Sequence, residues 1–273
     1  MTSRLRFRPS CYTLRLRTFL CAAAVIGGIT WLIETQSQWS SAVTAADDTT
    51  TNSRAPIDHP PSVDPEAAVK LFKVPEDLGI SLVVAEPEVS QPLSISFDNR
   101  GRMWVLQYLQ YPNPEGLEVV EMDNWLRTKY DRVPEPPPQG PKGRDRITIY
   151  EDINGDGRYE TVKHFVDDLN LASGMVPGYE GVFVVQPPYL LFYADRDRDD
   201  TPDGPPEVLL TGFGMEDAHA FANSLTWGPD GWLYGCQGST ATANIRGIGF
   251  QQGVWRYHPV TKEFELFAEG GGN

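Results

Sequence analysis

Hydrophobic and polar residues alternate most regularly around a tight turn in the C-terminal half of the chain. Leu225 and Trp227 are flanked by polar neighbours, Gly228–Gly231 (GPDG) follows, and Trp232–Tyr234 (WLY) resumes an extended run. Proline presets φ at the start of such a turn, and glycine tolerates the positive φ that its end requires. The pattern therefore predicts a β-hairpin.

Two weaker copies of this hairpin occur earlier, at Ser96–Val105 and Met175–Val184. Each of the three hairpins is followed by an apolar strand and a short closing strand. These pairs are Ile147–Asp152 with His164–Val166, Leu190–Asp195 with Val208–Leu210, and Val254–Pro259 with Glu265–Phe267. Units of about four strands, repeated every 40 to 50 residues or so, are typical of propeller blades.

The fold class that follows is an all-β chain containing about three blades of a β-propeller. Closed propellers have about four to eight blades, and the sequence stops within a Gly-rich turn at Glu269–Asn273. We therefore expect the N-terminal part of a longer protein, or a truncated gene product, that is inactive by itself. The first unit carries a long insertion, Leu109–Arg146, which is either a functional loop over one face of the fold or a solvated decoration.

A targeting segment precedes the blades. Five arginines between Arg4 and Arg17 are followed by a charge-free run at Phe19–Ile33 and by small residues at Val43–Ala45. This order predicts a signal peptide over residues 1–45 and a protein exported to the periplasm or the cell exterior. The alternative is an uncleaved membrane anchor, although a run of fifteen mostly apolar residues is short for a bilayer span.

The stretch between the signal peptide and the blades is polar at first. Residues 46–63 are rich in Asp, Thr, Ser and Pro, which predicts a disordered linker. Asp64–Phe72 predicts a short helix with an Asp cap, and Ile80–Ala85 (ISLVVA) predicts a buried strand. The partial propeller is assigned to residues 64–273.

The charge of the chain excludes one class of partner. The formal net charge is −14, and loss of the signal peptide removes five arginines and only one glutamate. So acidic a chain opposes binding to nucleic-acid phosphates. Cys11 and Cys21 leave with the signal peptide, so Cys236 has no intramolecular disulfide partner.

A candidate Ca²⁺ loop follows the third strand of the first unit. Asp152, Asn154 and Asp156 provide oxygen atoms at positions one, three and five, and Glu160 follows at position nine. The spacing resembles the start of an EF-hand loop, but the last acid comes too early and flanking helices are missing, which favours a Ca²⁺ loop in a β-hairpin. Asp195–Gly204 is a degenerate copy in the next unit, partly neutralised by its own arginines. The alternative for both is a polar hairpin tip that binds nothing.

His219 is the candidate catalytic residue. It lies in a Gly- and Asp-rich approach to the third hairpin, with Asp217 nearby. Loops that lead into the innermost strand of a blade face the central channel, where an imidazole can act as a general base or contact a ligand. The alternative is a histidine that bonds to the backbone of a neighbouring blade.

Several of these segments together resemble a known family. They are Val84–Pro87, Phe97–Val105, Tyr150–Gly157, Leu209–Gly214, Asp217–His219, Trp227–Gly235, Trp255–Pro259 and Glu269–Asn273. From Asp64 to Asn273, the chain resembles the N-terminal propeller of large exported bacterial proteins described as membrane-bound dehydrogenases. These proteins are related to the soluble quinoprotein glucose/sorbosone dehydrogenase superfamily.

The resemblance implies a six-bladed propeller that oxidises a sugar or alcohol with pyrroloquinoline quinone. His219 matches the general base of the sugar dehydrogenases when a one-residue insertion is allowed. A cytochrome c domain or another electron acceptor is the implied partner. The loop at Asp152 is not the cofactor Ca²⁺ site of the superfamily, and the quinone-holding residues would come from later blades.

Three functions therefore remain open at this stage. The first is a quinoprotein-like dehydrogenase, with His219 as base and Asp152, Asn154, Asp156 and Glu160 as a structural Ca²⁺ loop. The second is a propeller that binds carbohydrate or protein without catalysis. The third is a Ca²⁺-dependent hydrolase of the lactonase kind.

Overall fold

The computed structural model describes residues 62–270, which lie within one compact unit, Pro61–Asn273. The predicted signal peptide (1–45) and nearly all of the predicted linker (46–63) fall outside this range. Across the described range, no helix has the length and apolar character that crossing a membrane would require.

The described chain is all-β apart from one short helix, α1 (Pro65–Val69). The strands are β1 (Pro92–Phe97), β2 (Met103–Gln107), β3 (Val119–Met122), β4 (Thr128–Tyr130), β5 (Asp145–Glu151), β6 (Thr161–Leu169), β7 (Gly174–Pro177), β8 (Gly181–Gln186), β9 (Tyr189–Ala194), β10 (Glu207–Thr211), β11 (Asn223–Trp227), β12 (Leu233–Gln237), β13 (Ala243–Ile245), β14 (Ile248–Phe250), β15 (Gly253–Tyr257) and β16 (Phe264–Glu269). The prediction of an all-β chain is confirmed.

Twelve of these strands form three four-stranded antiparallel sheets. The strand orders are β1-β2-β5-β6 in the first sheet, β7-β8-β9-β10 in the second and β11-β12-β15-β16 in the third. The hairpins β3–β4 and β13–β14 are inserted between the second and third strands of the first and third sheets. Each predicted repeat unit is therefore one sheet in which consecutive main strands are neighbours.

The predicted turn of the third hairpin forms as its sequence requires. Gly231 has φ +81°, a conformation that residues with a side chain rarely adopt, and the backbone N–H of Gly228 donates to the Trp232 carbonyl at 2.9 Å. Beyond the turn, β11 and β12 pair through Trp227 opposite Leu233 and Thr226 opposite Tyr234.

Two apolar cores hold the sheets together. Side chains of the first and second sheets, including Trp104, Ile149 and Val184, make one core. Phe183 and Leu190 of the second sheet pack with Trp255 of the third sheet in the other core. The first strands are also neighbours, because β7 lies against both β1 and β11. Burial of these apolar side chains is the main stabilising contribution to the arrangement.

Four tryptophans in or next to the main strands divide into two groups. Trp104 and Trp255 are buried in the two cores, and Trp227 packs against the second of them. Trp232 instead faces Arg256, whose guanidinium carbon lies 4.3 Å from the ring centroid, on the outer face of the third sheet.

The N-terminal predictions have mixed outcomes. Helix α1 forms with Asp64 as its N-cap, and the Asp64 carboxylate accepts a bond from the Ala67 N–H at 3.0 Å. The predicted buried strand at Ile80–Ala85 is wrong: the segment pairs with no strand, and Ile80 and Val83 are exposed. Within this run, Val84 packs against Met103, Val105 and Tyr150 on the outer face of the first sheet.

The long insertion at Leu109–Arg146 is held against the rest of the fold, and its last two residues belong to β5. The Thr128 N–H donates to the Glu216 carbonyl at 2.6 Å, next to the approach to β11. The Tyr189 hydroxyl of the second sheet donates to the Pro134 carbonyl at 2.5 Å. The insertion thus joins the first sheet to elements of the other two.

The sheets have two chemically different ends. In an antiparallel meander, successive connections lie at alternate ends. We call the end with the β1–β2, β5–β6, β7–β8, β9–β10 and β11–β12 connections the turn end. The opposite end carries the connections between sheets and the long insertion, and we call it the cavity end.

Candidate functional site at the cavity end

His219 lies in the connection between β10 and β11, where a carboxylate orients it. Asp217 Oδ1 accepts a hydrogen bond from the His219 backbone N–H at 2.9 Å. The same oxygen lies 3.1 Å from Nδ1 of the His219 ring. The Thr240 hydroxyl donates to Asp217 Oδ2 at 2.6 Å. Desolvation raises the pKa of Asp217, but the bonds from Thr240 and His219 outweigh it, and the pKa falls below its ordinary value.

The other ring nitrogen of His219 meets a residue of the long insertion. The Tyr111 hydroxyl lies 2.6 Å from Nε2, and the two rings contact edge to face. Because an ionised carboxylate only accepts hydrogen bonds, Nδ1 of a neutral ring carries the proton and Nε2 accepts from Tyr111. The lone pair of the imidazole therefore points along the bond to Tyr111.

A cavity of about 510 Å³ opens beside this pair. Its lining includes the polar residues Ser94, Ser173, Asn223 and Ser224, and aromatic residues make up much of the rest. The Ser173 hydroxyl donates to the Ala222 carbonyl at 2.5 Å, and the Ser224 hydroxyl donates to Asn223 Oδ1 at 2.7 Å. None of its lining residues is Lys, Arg, Asp or Glu. Such a lining matches a neutral polar ligand, because aromatic faces bind C–H surfaces and hydroxyl groups exchange hydrogen bonds.

One residue that lines the cavity, Tyr108, has a buried hydroxyl without a protein partner. The Tyr108 oxygen is buried and makes no hydrogen bond to another residue. Burial, followed by the negative charge of Asp145, raises the pKa of Tyr108 well above its usual range, so the phenol stays protonated. A buried hydroxyl without a partner costs about 1–3 kcal/mol.

Asp145 joins two loops of the cavity end. Its buried carboxylate accepts the Gln110 N–H at 2.6 Å, at the start of the insertion, and the Ala172 N–H at 2.9 Å, in the approach to β7. Desolvation raises its pKa from 3.8 to about 6 and outweighs the opposing backbone bonds. Two loops of the cavity end therefore share one buried acid.

The predicted Ca²⁺ loop lies at the turn end, between β5 and β6. Asp152, Asp156 and Glu160 each offer a carboxylate oxygen, and these oxygens lie within 4.8 Å of one another. Asp152 also accepts the backbone N–H groups of Gly155 and Gly157 at 2.6 and 2.8 Å. Asn154 Nδ2 donates to Glu160 at 2.6 Å, so the amide and three acids converge in an exposed loop.

The degenerate copy between β9 and β10 is more deeply built into the fold. Asp195 is buried and accepts the backbone N–H groups of Asp199 and Asp200. Arg196 Nη1 donates to Asp203 at 3.0 Å, as expected for an arginine that neutralises the loop. Arg198 bonds instead to Glu180, in the β7–β8 turn.

A family model with the description "Domain of unknown function (DUF7133)" matches residues 64–273. The chain belongs to this family. No curated protein and no solved structure matches it.

This DUF7133 domain does not bring its sequence-predicted site residues together. His219 is at the cavity end, whereas Asp152, Asn154, Asp156 and Glu160 are at the turn end. Sequence reasoning missed Tyr111, Tyr108 and Asp145. The one available signal was the aromatic cluster at the start of the insertion, Tyr108–Tyr111 (YLQY).

Proposed function

We propose that the three sheets are blades of a β-propeller, of the six-bladed type that the resemblance implies. The adjacency of β1, β7 and β11 supports this arrangement, because the first strands of blades surround a common axis. Apolar side chains on the outer faces of the end sheets also support it: Ile95, Phe97 and Phe267 are 56, 61 and 54% exposed. Further sheets packed on both faces would bury them.

We propose that the cavity end oxidises a neutral sugar or alcohol, with His219 as the general base. The observation that carries this proposal is the hydrogen-bonded series Asp217–His219–Tyr111 at the rim of an uncharged cavity. A substrate hydroxyl at Nε2 would give its proton to the imidazole, and the Asp217 carboxylate would stabilise the imidazolium that forms. A His–carboxylate pair whose Nε2 already accepts from a hydroxyl is suited to this step.

Oxidation also requires an acceptor for the two electrons released with the hydride. Pyrroloquinoline quinone is an anion with several carboxylates, and the lining of the His219 cavity contains no cation to bind them. The lining of the His219 cavity therefore does not fit this cofactor by itself. Binding of a quinone would need residues outside the lining of this cavity. The same holds for contact with a cytochrome c domain or another electron acceptor.

A carbohydrate-binding propeller without catalysis is the second candidate. The specific observation in its favour is the same uncharged lining, which suits a sugar whether or not it reacts. A Ca²⁺-dependent hydrolase centred on His219 is less well supported, because both acidic loops lie at the opposite end of the sheets from His219.

We propose a structural role for the loop of Asp152, Asn154, Asp156 and Glu160, with Ca²⁺ replacing the internal bonds among them. Hard oxygen donors of this kind are the ligands that Ca²⁺ prefers. We also propose that the protein is exported to the periplasm or the cell exterior, on the signal-peptide pattern in residues 1–45.

The test uses the protein expressed without its predicted signal segment. Glucose and simple alcohols are offered with pyrroloquinoline quinone, Ca²⁺ and a redox dye. Dye reduction that disappears in His219→Gln is the expected result, whether or not the reaction requires the quinone. Saturable glucose binding without dye reduction would replace the dehydrogenase by the binding propeller, and lactone hydrolysis without an acceptor would replace it by the hydrolase.

A further inference from the structure

Tyr111 reaches the site from a segment far away in sequence. It follows the end of β2 by four residues, whereas His219 lies 108 residues later in the approach to β11. The preceding residue, Gln110, is fixed by its N–H bond to buried Asp145 at 2.6 Å. The Tyr108 ring packs against Tyr111 with the centroids 5.7 Å apart. The backbone next to Tyr111 is therefore held by buried Asp145, and the exposed Tyr111 ring is supported by Tyr108.

The His219 side chain is exposed and depends on specific contacts for its orientation. It is 76% exposed, so neighbouring atoms cover little of the ring. Asp217 bonds to Nδ1 at 3.1 Å and Tyr111 bonds to Nε2 at 2.6 Å, on opposite sides of the ring. Two bonds to opposite nitrogens fix both the plane of the imidazole and its tautomer.

We propose that Tyr111 is the positioning residue of His219. Its hydroxyl holds Nε2 at the rim of the cavity until a ligand hydroxyl takes the same place. That ligand is a sugar or alcohol, and in this respect the inference rests on the proposed function. The long insertion is thereby part of the site, since it supplies the group with which a ligand competes for the base.

The geometry gives this competition a simple basis. A bond of 2.6 Å from a phenol to an imidazole lone pair is within the range that a substrate hydroxyl must reach for proton transfer. A ligand therefore exchanges one O–H donor for another at Nε2 and does not need to desolvate a bare nitrogen. The displaced Tyr111 hydroxyl can then bond to another oxygen of a polyhydroxylated ligand.

The experiment measures the accessibility of Nε2 without any need for enzymatic activity. Diethyl pyrocarbonate acylates an unprotonated imidazole nitrogen, and peptide mass mapping follows the rate at each histidine. In Tyr111→Phe we expect His219 to react several-fold faster, whereas His164 and His258 keep their rates as internal references. Tyr130→Phe, which removes another hydroxyl of the same insertion, is the matched control and should leave the His219 rate unchanged.

Nitrogen NMR of the His219 ring gives a second, independent measurement. The intact protein should show a protonated Nδ1 and a hydrogen-bonded, unprotonated Nε2, and Tyr111→Phe should shift the Nε2 resonance. Equal acylation rates and an unchanged Nε2 resonance in Tyr111→Phe would overturn the inference.

These outcomes are separable from the fate of the proposed function. If Tyr111→Phe alters His219 but no substrate is oxidised, the proposed function fails and the positioning role stands. If oxidation occurs and Tyr111→Phe leaves His219 unaltered, the positioning role fails alone.

Discussion

At the turn end a guanidinium is buried between two carboxylates, whereas at the cavity end a carboxylate is buried among backbone N–H groups. Arg102 bonds through Nε to Asp98 at 2.8 Å and through Nη1 to Asp200 at 2.7 Å. Asp145, at the other end, accepts the N–H groups of Gln110 and Ala172. Both arrangements join the first sheet to the second, but they differ in which polar groups have bonding partners.

The difference separates structural polar groups from functional ones. Desolvation opposes the charge on Arg102, yet Asp200 and Asp98 outweigh it and raise the pKa of the guanidinium. Each of these three charges has a fixed partner, although the three residues also line a cavity of about 460 Å³. At the cavity end, desolvation raises the pKa of Asp145, and the Tyr108 hydroxyl lacks a protein partner. Groups of this kind are typical of functional sites.

The largest expected effect is at the turn end. Arg102→Met should leave the partly buried Asp98 and Asp200 without their cation, and loss of one member of a buried pair costs about 3–5 kcal/mol. Urea unfolding should show this loss. Arg100→Met is the matched control, because Arg100 is an exposed neighbour bonded to Glu151 at 3.3 Å and should cost less than about 1 kcal/mol. Equal losses in the two variants would contradict the structural role of the network.

The next effect is a pH dependence at the cavity end. The pKa of Asp145 is raised from 3.8 to about 6, so the folded protein binds this proton more tightly than the unfolded chain does. The resulting stability is complete below pH 3.8 and is lost as the pH rises through about 6, by roughly 3 kcal/mol in total. Relative to Asp145→Asn, the wild type should therefore lose stability between pH 4 and pH 7.

The measurement is urea unfolding of both proteins across that pH range. Any constant cost of the asparagine cancels in the comparison of slopes. Asp167→Asn changes an exposed acid near the same end of the first sheet and serves as the control. A pH dependence that survives in Asp145→Asn would assign the proton to another group.

The third effect compares the two acidic loops of the turn end. Ca²⁺ at a hundredfold excess over its Kd should stabilise the protein by about 2.7 kcal/mol if the Asp152 loop binds it. Asp156→Asn should abolish most of this gain. Asp197→Asn should retain it, because Arg196 already bonds to Asp203 in the second loop. Thermal unfolding with and without Ca²⁺ distinguishes these outcomes, and a gain lost only in Asp197→Asn would move the site to the second loop.

The positions of the strands could be predicted from the sequence more accurately than the burial of each segment. Alternation and the GPDG turn located β11 and β12 because these features act between neighbours in sequence. Ile80–Ala85 was mistaken for a buried strand because an apolar run does not reveal whether a sheet edge is available to pair with it. Val84 packs on the outer face of the first sheet, and its backbone pairs with no strand.

The site shows the same limit more strongly. His219 and Asp217 are close in sequence, so their pairing could be anticipated. Tyr111 lies 108 residues from His219, within an insertion whose path no periodicity specifies. The burial of Asp145 likewise depends on tertiary packing, because the insertion and the approach to β7 both bond to it.

The central claim is that the cavity end binds neutral hydroxyl compounds through His219. The most direct measurement is amide NMR of the protein titrated with glucose and, as a charged match, with gluconate, in the wild type and in His219→Gln. Because His219 is exposed, the variant should change stability by less than about 0.5 kcal/mol. We expect glucose, and not gluconate, to shift the amides of Ser94, Ser173 and Asn223, with weaker binding in His219→Gln. Shifts confined to the turn end, or a preference for gluconate, would contradict the account.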